Sequence, residues 1–409
     1  MTLVLIINPI QFAIGQFLNA DFVKSLNEFS FEFFRNTDIS DKNAISSPLS
    51  VALCLMMLLE GANGRTEAQL KNVMHLSNDD GESIQSNIKE VSIFVGKKLM
   101  KNVFNFQILA EYTHTEADNL NHSAIVSIAN ALLASKHSKI RDEYKTKIAN
   151  LYRALVDNVD FATNGKEIKD KINTFVREKT RGEITNFLVD NLPENSILFL
   201  LNTIYFKDQW KYKFNKRSTK KRKFYNYDGT ESKVDTMSQL RVKYMHHFDD
   251  HKQRIIVELP YLSNTSMVLF VPKQRDGLQE MLNELNDDEI ENLLSKLSLG
   301  KITLRIPKFE SNYRVNAKEV LQRIGLKCPF ASNADFSRIA SGVYVSYIHH
   351  EAIVKVDESG TVASAATGAG MSRSIEFTEE VNVDHPFMFL IRDKNNELNL
   401  FYGVINKLN

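Results

Sequence analysis

The chain has few of the residues that give small or specialised proteins their character. Two cysteines in 409 residues cannot form a disulfide framework. Cys54 lies in the apolar run 51–59 and reads as a buried thiol, whereas Cys328 lies in the loop-like stretch Lys327-Cys328-Pro329. A bond between them is the weaker reading, and no CxxC or Cys/His metal spacing is present. Proline and glycine never gather into a linker, and there is no repeat or low-complexity tract. No excess of one charge exists: the net charge is +1, so no global field draws the chain to nucleic acid or to a membrane. The apolar start, residues 1–18, is interrupted by Pro9 and Gln11 and is too short to span a bilayer.

Enzyme motifs are also missing. There is no GxSxG, HExxH, P-loop or GxGxxG, and Gly368-Ala369-Gly370 lacks the third glycine. His246, His247, Asp249, Asp250 and His251 are too closely spaced for one helix face or a zinc finger, and they read as a solvated loop with no metal. Ser47 and His350 could be imagined as nucleophile and base. Ser47 is better placed as a helix N-cap before Pro48, and no carboxylate is set to orient the histidine. The chain is therefore read as a protein other than an enzyme.

The composition itself is that of a globular protein, 43% apolar and 25% charged, enough to bury a core without metals or disulfides. Residues 1–15 read as a secretory signal, with Ala13-Ile14-Gly15 supplying small residues for cleavage although a basic start is absent. Residues 16–409 then form a single domain whose packed part begins near residue 20. Asn121-His122-Ser123 and Asn264-Thr265-Ser266 are N-glycosylation sequons, at home in a secreted, extracellular protein. Ser25 with Glu28 predicts a capping box ahead of Phe29, Phe33 and Phe34. Thr66 and Gln69 predict another cap, and Ile168, Ile172, Phe175 and Val176 a helix ended by Gly182. Residues 197–206 are nearly all apolar, as in a strand buried on both faces. Two hairpins are predicted, 254–259 with 266–271 and 387–392 with 398–404. Helices early and strands late predict an α+β arrangement.

Three blocks together resemble the serpin family of serine protease inhibitors. They are Asn43-Ala44-Ile45-Ser46-Ser47-Pro48-Leu49-Ser50, Asn202-Thr203-Ile204-Tyr205-Phe206-Lys207-Asp208-Gln209-Trp210, and His350-Glu351-Ala352-Ile353-Val354-Lys355-Val356-Asp357-Glu358-Ser359-Gly360-Thr361. Glu258-Leu259-Pro260-Tyr261 and Ile306-Pro307-Lys308-Phe309 add weaker matches. The resemblance implies three β-sheets, about nine helices and an exposed reactive-centre loop. It implies a suicide substrate that acts as a monomer without cofactor, acylates its target serine protease and traps it as the loop inserts into the main sheet. The alternative within the family is a non-inhibitory carrier, chaperone or storage protein, expected to carry bulky or charged hinge residues.

Residues 361–370 contain no charge, no proline and nothing large. Strand side chains alternate faces, so Thr361, Ala363, Ala365 and Thr367 share one face and are small enough to enter a covered sheet. By resemblance the hinge comprises Glu358, Gly360, Thr361, Ala363, Ala365 and Ala366. Ser47, Ser50, Asn202 and His350 form the shutter, a polar cluster beneath the opening strands, and Trp210 marks the breach where insertion begins. For the cut bond the commonest spacing favours Ser374-Ile375. The Arg-Ser pattern of many members favours Arg373-Ser374, the leading assignment for a trypsin-like target. Met371 is a third candidate, and elastase- or chymotrypsin-like targets stay open. The basic run Lys213, Lys216, Arg217, Lys220, Lys221, Arg222 and Lys223 reads first as a solvated face and second as a glycosaminoglycan site. Residues 89–101, matching the family's heparin-binding helix, carry few basic groups.

Overall fold

The computed structural model describes residues 18–76, 86–87, 125–361 and 378–409. Helix α1 (Ala20–Arg35) begins where Asn19 Oδ1 accepts from the Phe22 amide at 3.0 Å, satisfying one of the free amides of the first turn. The helix thus starts ahead of the predicted capping box. Ser25 lies inside it, and its hydroxyl donates to the His75 carbonyl. Phe22, Leu26, Phe29 and Phe33 recur every three or four residues and are fully buried, giving the stripe that docks α1 on the core. After β1 (Ala44–Ser46) comes α2 (Pro48–Gly61), which is apolar all round and buried almost throughout. It ends at Gly61, where any Cβ would run into the Ile339 side chain. In α3 (Gly64–Val73), Thr66 and Gln69 tie the helix to a distant loop and leave its start uncapped. Thr66 Oγ1 accepts from Asp335 N at 2.9 Å, and Gln69 Oε1 accepts from Lys327 N at 2.7 Å.

The remaining elements, in chain order, are β2 (Ile125–Ser135), α4 (Asp142–Tyr152), β3 (Leu155–Val159), α5 (Gly165–Lys179) and β4 (Leu198–Gln209). Next come β5 (Lys220–Tyr225), β6 (Glu231–Asp249), β7 (Arg254–Pro260), β8 (Thr265–Pro272), α6 (Leu278–Glu284) and α7 (Asp287–Ser295). The chain closes with β9 (Ser298–Pro307), β10 (Phe309–Asn316), α8 (Ala317–Arg323), β11 (Val345–Val356), β12 (Gly360–Thr361), β13 (Glu379–Asn382), β14 (Phe387–Asp393) and β15 (Leu398–Ile405). Both predicted hairpins are present, as β7–β8 and β14–β15. The predicted helix around Ile168 is α5, followed by Gly182 at φ +84°. The fold is α+β.

Hydrogen bonds among the described residues define two sheets where the resemblance implies three. One has nine strands in the order β1-β15-β14-β8-β7-β6-β9-β13, with β5 on β6; the other runs β10-β11-β4-β2-β3, with β12 on β4. The first is continuous because β6 is 19 residues long and serves two halves. Its ladder with β9 is interrupted between Gln239 and Val242, at Arg241 with φ +55°, the kind of bulge that bends a strand from one layer into another. Helix α2 packs on β15 of one sheet and β4 of the other. On the far face of β4 and β2, Ile168, Ile172 and Val176 of α5 join Phe199, Leu201 and Phe187 in a second apolar cluster. With both faces covered, β4 has to be largely apolar on both, which explains its nearly continuous apolar run. The predicted run ended at residue 206; the strand continues to Gln209.

His246, His247 and Asp249 belong to β6, where the solvated-loop reading had placed a loop. His246 Nδ1 lies 3.0 Å from the Tyr244 carbonyl, and Asp249 pairs with Arg254 at 2.9 Å. Asp250 pairs with Lys273. Cys54 and Cys328 are both free thiols, and burial pushes Cys54 up to about 12.

Candidate functional site

The site is built around a seam. Strands β11 and β4 run parallel and are paired from Val345 opposite Leu198 to Ile353 opposite Tyr205. Beyond that point they separate. β4 continues to Gln209, β11 continues to Val356 against β10 alone, and the chain turns back into the space between them.

The turn is anchored at every residue. Asp357 and Gly360 form an isolated bridge. The Glu358 carboxylate, buried at 5% exposure, accepts from Thr219 Oγ1 at 2.7 Å and pairs with Lys308 Nζ at 3.0 Å. Burial works against its charge, but the Thr219 hydroxyl and the Lys308 ammonium hold it below the usual carboxylate range. The Trp210 amide donates to the Ser359 carbonyl at 3.0 Å, and Trp210 Nε1 donates to the Asp357 carbonyl at 2.9 Å. The indole stacks on Tyr261, with centroids 4.4 Å apart and planes 9° from parallel. Gly360 and Thr361 then pair antiparallel with Gln209 and Asp208. Gly360 has φ +144°, and a Cβ there would press on the Asp208 carbonyl oxygen and lie 2.5 Å from Gln209 Cα, so both its angles and its contacts demand glycine. Thr361 is fully buried, its hydroxyl 3.0 Å from Tyr261 Oη.

Lower on the seam lies a polar rung across three strands. Asn202 of β4 faces Asn130 of β2 on one side and His350 of β11 on the other. Its Oδ1 accepts from Ser50 Oγ and from His350 Nδ1, both at 2.6 Å. Its Nδ2 donates to Asn130 Oδ1 at 2.6 Å and to the Ser50 carbonyl at 3.0 Å. The Ser47 amide donates to His350 Nε2 at 3.2 Å. That nitrogen must therefore be unprotonated, which puts the ring hydrogen on Nδ1, the atom facing Asn202. Burial, helped by His349, lowers His350 to about 3, so the ring is neutral. Ser47 precedes α2 without making a side-chain cap, and its buried Oγ has no hydrogen-bond partner among the described residues.

Ser47, Ser50, Asn202 and His350 thus come together as one cluster, and Glu358, Gly360, Thr361 and Trp210 as another. Sequence reasoning missed Asn130, although it too is a polar residue within an apolar strand. It also missed Thr219, Lys308, Tyr261 and Asp208, whose roles arise only from tertiary placement. Lys216, Arg217, Lys220, Lys221, Arg222 and Lys223 are all exposed, on a turn and on β5. Lys221 pairs with Asp235 at 3.3 Å and Lys223 with Glu231 at 2.7 Å. Asn264 is exposed at the β7–β8 hairpin. The segments 1–15 and 89–101, Asn121, Ala363, Ala365, Ala366, Met371, Arg373, Ser374 and Ile375 lie outside the described residues.

Comparison with known proteins places this arrangement. The family model described as "Serpin (serine protease inhibitor)" matches residues 24–408. Iripin-2 of Ixodes ricinus is 32% identical over 397 residues, covering 95% of this chain and 94% of its own. Among solved structures, Serpin48 of the insect Tenebrio molitor superposes with a TM-score of 0.80 at 25% identity, over 95% of this chain and 98% of that one. Native protease nexin-1 with heparin does so with 0.78 at 27%, over 95% and 100%. Matched along nearly its whole length, and carrying the seam, the rung and the anchored turn, the chain belongs to the serpin family.

Proposed function

We propose that this protein is an inhibitory serpin: a suicide substrate that traps a serine protease as its acyl-enzyme by drawing the segment after Thr361 into the seam between β4 and β11. The observation that carries the reading is the antiparallel pairing of Gly360 and Thr361 with Gln209 and Asp208. It sets the returning chain in the direction and position of a strand that would continue between β4 and β11. The residues that follow are small and uncharged, so burying them carries none of the several-kcal/mol cost of a buried charge. About fourteen inserted residues would span roughly 45 Å, enough to carry a tethered protease from one end of the sheet to the other.

The bait is assigned to Arg373-Ser374, with Ser374-Ile375 and Met371 as alternatives, and the expected target is trypsin-like. Incubation with trypsin should give a covalent complex that survives boiling in detergent, together with a released peptide beginning at Ser374. Simple cleavage without a complex would favour the non-inhibitory alternative. A peptide beginning at Ile375 or Ser372 would move the bait. Secretion after removal of residues 1–15 and glycosylation at Asn121 and Asn264 are part of the same proposal; mass measurement of the protein from a secretory host tests both. The exposed basic groups on β5 and the turn before it are proposed as a glycosaminoglycan site, a reading favoured by the similarity to a structure solved with heparin. Elution from immobilised heparin at higher salt than a Lys220→Ala/Arg222→Ala variant would support it.

A further inference from the structure

On the inner face, Asn202 and His350 join the two sides of the seam. The outer face has its own connection, made by a residue outside both strands. Glu183 lies in the segment that follows α5 and is half-buried. Its Oε1 accepts from Tyr205 Oη at 3.1 Å, and its Oε2 lies 3.4 Å from Lys355 Nζ. Tyr205 belongs to β4 and Lys355 to β11. Tyr205 is also the last β4 residue still paired with β11, opposite Ile353. The carboxylate therefore bridges the outer face at the upper end of the closed part of the seam, over the point where a strand growing down from Thr361 would first have to part β4 from β11.

The register makes the consequence concrete. Thr361 faces Asp208 and Gly360 faces Gln209, so each step forward in the loop is one step back along β4. Residue 364 would come to lie opposite Tyr205, between it and Ile353. The chain cannot enter there while Glu183 holds both sides. We infer that Glu183 is a positioning residue for loop insertion, a clasp across β4 and β11 that sets how fast the seam opens. The inference rests on the inhibitory reading above. Two neighbours sharpen it. Lys355 also pairs with Glu310 of β10 at 3.2 Å, and Arg314 of β10 pairs with Glu351 of β11 at 3.0 Å. Both contacts lie on one side of the seam, so opening leaves them intact.

The test measures opening without a protease. A synthetic peptide of residues 362–374 is mixed with the intact protein, and its uptake as the missing strand is followed by native electrophoresis and by the fluorescence of the single tryptophan. Wild type should take the peptide up slowly. Glu183→Gln, which removes the ion pair, and Tyr205→Phe, which removes the hydrogen bond, should each take it up about five- to tenfold faster. The double variant should be less than the product of the two. Glu310→Gln removes a charge from the same cluster without crossing the seam and should match wild type; a merely structural effect would move it with the others. Equal uptake by wild type, Glu183→Gln and Tyr205→Phe would overturn the clasp and leave the inhibitory reading standing. Failure of wild type to take up any peptide, together with simple cleavage by trypsin, would overturn both.

Discussion

His350 makes two hydrogen bonds that this arrangement allows only to a neutral ring, donating through Nδ1 and accepting through Nε2. Its ordinary value of 6.5 falls to about 3 in the folded state, so below pH 6.5 the unfolded chain binds a proton that the folded chain refuses. Stability from this group is present above pH 6.5 and is lost as the pH falls toward 3, at up to about 1.4 kcal/mol per pH unit. His349, lowered to about 4 by burial and by Arg314, acts in the same direction. Asp287 opposes them: burial and the nearby Glu291 raise it to about 7, so its contribution grows as the pH falls from 7 toward 4. The histidine is isolated by difference. His350→Gln should melt lower than wild type at pH 7, by about 1–3 kcal/mol for the broken buried hydrogen bonds, and the gap should narrow by pH 5. A gap that stays constant with pH would mean that His350 is not buried as a neutral ring. Gly360→Ala gives a second check at this scale. The added methyl cannot coexist with the Asp208 carbonyl, so the turn should lift from β4 and the emission of Trp210, which is bonded to that turn, should shift.

The hinge and the seam are elements whose behaviour exceeds that of their residues. Thr361, expected from the sequence to be small enough to enter a covered sheet, is already inside it, fully buried against Tyr261. Thr361→Arg should therefore displace the β12 pairing before any protease arrives, as well as slow the later closure. It should still be cleaved by trypsin but yield little covalent complex, and its midpoint should rise less on cleavage than that of wild type. Equal complex yields would show that this position does not control insertion.

What could be read from the sequence follows from this. Asn202 and His350 were assigned to the cluster by the family resemblance, and Asn202 is in addition a polar residue within the nearly all-apolar run 197–206. The partners Ser47 and Ser50 came from the family motif; Asn130 carried the same local signal as Asn202. The anchoring of Glu358 was not legible, since Thr219 and Lys308 reach it from two separate connections, before β5 and between β9 and β10. Nor was the joining of two expected sheets into one, which depends on the bulge in β6. Helix starts were misread where a side chain with capping chemistry, Ser25 or Thr66, had found a tertiary partner.

At the scale of the molecule, a cut at the proposed bait would separate two unequal pieces that should remain locked together. β13, β14 and β15 all lie beyond residue 374 and are built into the nine-stranded sheet. A chain cut at the bait should migrate as one particle under native conditions and as two under denaturing ones. Its thermal midpoint should rise markedly, because the freed segment can complete the other sheet; an unchanged midpoint after complete cleavage would argue against insertion.

The pairing of Gly360 and Thr361 with β4 also has a kinetic meaning. A zipper whose first two teeth are engaged needs no nucleation, and each further tooth exchanges one parallel rung between β11 and β4 for two antiparallel ones, the better-paired geometry. Past the point where Glu183 spans the seam each advance should be downhill, and the far end of the uncut chain supplies a second restraint. There β13 is fastened to β9, with Arg305 bonded to Glu380 at 2.8 Å and to Asn382 at 2.9 Å. The intact protein should accordingly have a finite working life: held warm and untouched by protease, it should drift into a spent form at a rate set by how firmly that edge strand is fastened, and Arg305→Ala should shorten the drift.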